Sequence, residues 1–152
     1  MNHSEPFPQA NNLEKVISLL NVDKEENLAV NAVLEPLLGV SNSRQVCYYL
    51  SAGRYIGFIG EGRTFSELGH KLRSMCPTEQ KAEIARIIVA DPVFGTVYFR
   101  QKMLGFIFDH DDITSIMKEC GVIMETEKMY IRRGSTISSW IKAIYEMEQE
   151  MM

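Results

Sequence analysis

The chain has 152 residues, 45% of them hydrophobic and 24% charged, with a formal net charge of −4. It is long enough to bury a core as one domain or two small ones, and too acidic to be a uniformly basic nucleic-acid coat. No apolar run approaches the roughly 18 residues that span a bilayer, so no membrane partner is expected.

The opening "MNHSEPFPQANN" lacks the basic start and apolar centre of a secretory signal, and Pro6 and Pro8 make residues 1–11 read as a flexible, extended leader. Asn12 suits the N-cap of a helix carrying Leu13, Val16, Ile17 and Leu20 at helical spacing, ended by Asn21-Val22-Asp23. A second helical region spans about 27–38, interrupted by Pro36. Gly39 fits the C′ position, with Val40 packing back on the helix it leaves. Ser41-Asn42-Ser43 offers caps for a third helix over about 44–55, whose inner stripe is Val46, Tyr49, Leu50 and Gly53. Helix, glycine turn, cap and helix together are the grammar of a helix-turn-helix.

"YIGFI" reads as a strand, Gly60-Glu61-Gly62 as a hairpin turn and Arg63-Thr64-Phe65 as the return. The expected wing completes a winged helix over residues 12–76, with Ser66 capping its last helix. A second, winged-helix-like unit with an acidic tail is expected over 77–152. There, residues 79–90 are apolar almost all round and predict a central buried helix. Asp91-Pro92 opens the next helix, through Val93, Phe94, Val97 and Leu104. Asp111 or Asp112 caps another, ended by Gly121-Val122 as Gly39-Val40 ended an earlier one. Thr126 caps the last, with Gly134 breaking it and Ser135 capping its second half. The fold class is therefore expected to be mainly α with short β-hairpin wings, in tandem winged-helix or helix-turn-helix units.

Three cysteines, Cys47, Cys76 and Cys120, have no C-x-x-C spacing and read as reduced, partly buried thiols of a cytoplasmic protein. Asp109-His110-Asp111-Asp112 has no second cluster to complete a metal site, and "GEGR" lacks the pattern of a phosphate-binding loop, so no metal, cofactor or catalytic group is assigned. Tyr48, Tyr49, Tyr55 and Trp140 read as packing residues.

Charge is segregated instead. Residues 42–76 hold Arg44, Arg54, Arg63, Lys71 and Arg73 against Glu61 and Glu67, and residues 126–142 hold Lys128, Arg132, Arg133 and Lys142 against Glu127. Arginine and glutamine at a helix start suit guanine and adenine edges, with Ser43, Arg44, Gln45 and Tyr48 facing bases. Arg63 and Lys71 would follow the phosphate backbone, and Thr126, Lys128, Arg132, Arg133 and Ser135 would serve a second unit. The alternatives are that these charges solvate helix ends, or that "RRGST" forms internal ion pairs.

"SRQVCYYLSAGRYIGFI", "RTFSELGHKL", "IVADPVF" and "RRGSTISSWIKAI" together resemble the tandem winged-helix module of bacterial type II restriction endonucleases and related restriction-modification or ATPase-associated proteins. The matching positions are Arg44, Gln45, Tyr48, Tyr49, Ala52, Gly57, Gly69, Pro92, Val93, Phe94, Arg132, Arg133, Thr136 and Trp140, within about residues 12–147. The resemblance implies binding of double-stranded DNA beside a nuclease or methyltransferase partner. The other reading is a protein-interaction subunit of a DNA-processing complex, for which an exposed apolar patch would be the mark.

Overall fold

Short-range capping chemistry sets where the helices of this computed structural model begin, and residues 1–151 are described. Asn12, Asn42, Ser66 and Thr126 each accept a backbone N–H from three residues on, starting α1 (Leu13–Ser18), α3 (Ser43–Ile56), α4 (Glu67–Arg73) and α8 (Glu127–Glu150). Between them lie α2 (Asn31–Leu38), α5 (Pro77–Val89), α6 (Pro92–Leu104) and α7 (His110–Glu119), with 3-10 turns at Leu19–Asn21 and Glu25–Ala29. Asp91 caps α6 through the N–H groups of Val93 and Phe94. The cap of α7 is Asp109, in a reciprocal capping box with Asp112, rather than Asp111 or Asp112 alone. Gly39 and Gly121 both take left-handed backbone, and Val40 and Val122 donate N–H bonds of 3.0 and 2.9 Å back to Glu35 and Met117. The two helix ends thus share one local geometry.

The expected wing is absent. Tyr55 and Ile56 remain in α3 because both are buried there, and a single antiparallel bridge, Ile59 to Phe65, joins the two sides of the following loop. Phe58 and Ile59 are consecutive and both buried, which an alternating strand facing solvent does not allow. The Ser66 hydroxyl closes the loop by donating to the Gly57 carbonyl (2.6 Å) while accepting from Gly69 N–H (3.1 Å). A Cβ on Gly69 would stand 2.2 Å from the Phe58 carbonyl oxygen, so glycine alone lets α4 lie against this loop. Among the described residues there is no strand or sheet, in this half or in the second; the fold is all-helical, and the winged-helix class is withdrawn.

The two expected units share one hydrophobic core, running from Leu13 through Ile56 and Phe94 to Met147. Trp140 is fully buried in it and stacks on Phe94 at 5.3 Å. Its indole N–H donates to the Ala10 carbonyl at 2.7 Å. The first eleven residues are therefore a packed strap rather than a free leader. Phe7 stacks on Phe94 at 5.6 Å, Asn2 N–H bonds the Tyr55 carbonyl at 2.8 Å, and His3 pairs with buried Asp91 at 2.5 Å. Burial, followed by the Asp91 charge, raises the Tyr55 pKa. Two further expectations change. The α5 helix buries only Gln80, Ile84 and Ile88 and is one-sided. The α8 helix runs unbroken through Gly134, which packs against Ile113 instead of ending it.

Candidate nucleic-acid interface

The first turn of α3 and the first two turns of α8 carry the basic residues that matter. Arg44 is exposed, its Nε donates to the Tyr48 hydroxyl at 2.8 Å, and its guanidinium sits 5.7 Å from the Tyr48 ring centre. This i, i+4 pair splays the arginine across the face of α3. Tyr48 in turn lies close enough to Arg133 of α8 to bear on its charge. Burial is the main effect on Arg133 and lowers its pKa, neighbouring Arg132 lowers it further, and Tyr48 opposes them. Seven residues beyond Tyr48 and Arg133, Tyr55 and Trp140 flank Phe94 at 6.5 and 5.3 Å. Phe94 thus joins the later turns of α3 and α8.

Arg63 joins from the loop. Its backbone holds φ at 55°, a left-handed conformation that costs a non-glycine residue about 1 kcal/mol. Its guanidinium donates to the Asn31 side chain at 2.8 Å and reaches Cys47 Sγ of α3 at 3.8 Å, one turn along from Arg44. Lys128 is exposed one turn before Arg132.

Among the described residues, none of Arg44, Arg63, Lys128, Arg132 and Arg133 is ion-paired to a carboxylate. The Arg133 Nε is buried without a hydrogen-bond partner. Arg133 is half-buried and the adjacent Arg132 exposed, and with no acid to offset either they leave a local excess of positive charge.

The other expected site residues fare differently. Ser43 and Gln45 are exposed at the head of α3, beside Arg44. Lys71 is not in the group, because it lies on α4 where its charge helps lower the Glu83 pKa. The Thr126 hydroxyl is occupied as a cap, and Ser135 donates to the Ile131 carbonyl at 3.0 Å. Cys47 and Cys76 are exposed free thiols, not buried ones, and Cys120 is half-buried. Sequence reasoning also missed an apolar surface at the end of α6, where Met103, Leu104, Phe106 and Ile107 all face solvent. Its signal was the run "MLGFIF", too long for the helix end that Gly105 enforces.

No helix among the described residues is long and apolar enough to cross a membrane. A protein-family model described as a domain of unknown function (DUF7226) matches residues 15–149. No curated protein and no solved structure matches the chain.

Proposed function

The chain belongs to the DUF7226 family over nearly its whole length, and we propose that it binds double-stranded DNA through the phosphate backbone, using the arginine face of α3 and α8. The observation that carries this reading is that Arg44, bonded to Tyr48, and the adjacent pair Arg132 and Arg133 are unneutralised by any acid among the described residues, with Tyr48 within electrostatic reach of Arg133. Guanidinium forks match phosphate oxygens two at a time, and the desolvation already suffered by Arg133 makes each such bond stronger than in water. The hydrogen bond to Tyr48 already restrains Arg44, so less rotamer freedom is lost on binding. Binding at this face is chiefly to backbone; Gln45 and Ser43 at the helix head are the groups within reach of base edges. The reading assigns no reaction, and the exposed thiols Cys47 and Cys76 fit a reducing compartment such as the cytoplasm.

Fluorescence anisotropy of a labelled mixed-sequence duplex, titrated at several salt concentrations, tests it. Four arginines on phosphates give a log–log salt slope of about −3 to −4. Absence of binding at low salt, or a slope unchanged in Arg132→Ala/Arg133→Ala, contradicts the reading.

A further inference from the structure

We propose that two copies of this chain form a two-fold dimer through the apolar end of α6 and the connection that follows it. Phe99, Met103, Leu104, Phe106 and Ile107 are 55, 83, 59, 54 and 68% exposed, and they are neighbours along the last turns of α6 and the residues after Gly105. Isolated exposed apolar side chains are ordinary, but five together are not. At typical side-chain areas they present on the order of 500–600 Å², close to the roughly 800 Å² that each partner contributes to a stable interface once a rim is added. The surface is held ready, since α6 is anchored from within by Phe94, Val97 and Tyr98.

Two features single out a second copy as the occupant. The patch carries both a highly exposed side chain, Met103, and a recess of about 400 Å³ bordered by Phe106 and Ile107 together with Lys102, Tyr145 and Glu148. A two-fold contact needs this self-complementarity, because each surface meets itself. The rim is also balanced in charge. Arg100 pairs with Glu119 at 2.8 Å, and Lys102 with Glu148 at 3.1 Å. A rim of one sign would repel its own copy, whereas matched pairs can exchange partners across a two-fold axis. The same balance offers nothing to a polyanion or to an anionic lipid surface. Residue 148 lies about 24 Å along α8 from residue 132, at 1.5 Å per residue, so dimerisation leaves the arginine face open.

Sedimentation equilibrium of the full chain across the micromolar range tests this without DNA, so its outcome is separate from that of the binding reading. The expected mass is twice the 17.4 kDa of one chain. Met103→Glu, and separately Ile107→Glu, should weaken association at least about tenfold while the helical circular dichroism is unchanged. A monomer throughout the range overturns the proposal. So does a dimer indifferent to both substitutions, or mass that grows without limit, which would mean a head-to-tail contact. A monomer whose patch holds a different protein, with that binding lost in Met103→Glu, also overturns it.

Discussion

Two groups of basic residues differ in their partners. On α5, α6 and α7 the cations meet acids: Arg86 pairs with Glu83, Arg100 with Glu119, Lys102 with Glu148 and Lys118 with Glu127. On the first turn of α3, the first two turns of α8 and the loop that delivers Arg63, they meet a tyrosine, an asparagine, a thiol and one another. Net charge conceals this, since the chain as a whole is acidic by four. The difference teaches that a count of arginines says little: Arg54 and Arg73 also lack an acid among the described residues, so the face to be tested is marked by unpaired arginines that share one surface rather than by their being unpaired.

Breaking the unpaired population should have the largest effect. Arg44→Ala/Arg133→Ala is expected to weaken duplex binding about a hundredfold at low salt, equivalent to roughly 2.7 kcal/mol, measured by anisotropy. Arg133→Met sharpens the contrast in the opposite direction. Removing a partly buried charge without a partner should raise stability by up to about 1 kcal/mol in a urea melt while lowering DNA affinity, because the side chain's partial exposure limits the gain. Breaking the paired population should do little. Arg100→Ala is expected to leave duplex affinity unchanged and to move the urea midpoint only slightly, because its pair with Glu119 lies on the solvent-exposed surface.

The smallest effect is on acid stability. A hydrogen bond from Arg86 holds the Glu83 pKa below its ordinary value, and one from Arg100 does the same for Glu119. A folded pKa below the unfolded one stabilises above the ordinary carboxylate pKa, and that contribution is lost as pH falls through the depressed folded value. Urea midpoints measured downward from neutral pH should therefore fall less steeply in Glu83→Gln/Glu119→Gln than in the wild type. Arg44→Ala should leave that slope as it is.

Much of the helical frame is readable from local chemistry. Asn12, Ser66 and Thr126 announce their helices, and Gly39 and Gly121 their ends, because each of these geometries closes within a few residues. "YIGFI" misleads for the same reason. Its β-branched and aromatic content is local, but Tyr55 and Ile56 are claimed by the core from within a helix, and Gly69 admits α4 where a returning strand was expected. Arg44, Tyr48, Arg132 and Arg133 were each visible as basic or aromatic helix starts. How they sit relative to one another depends on Phe94 holding Phe7, Tyr55 of α3 and Trp140 of α8 about one ring, a contact among distant segments that no local pattern encodes. Lys71 shows the converse: its charge was plain, while its place near Glu83 depended on how α4 meets α5.

The most direct measurement is an NMR titration of the arginine Nε–H resonances, assigned by single Arg→Lys variants, with a short DNA duplex. The expected result is that Arg44, Arg132 and Arg133 shift first and furthest, while Arg86 and Arg100 stay where they are. Uniform small shifts across both populations, or movement confined to the paired arginines, would contradict the claim that the unpaired face is the one that binds.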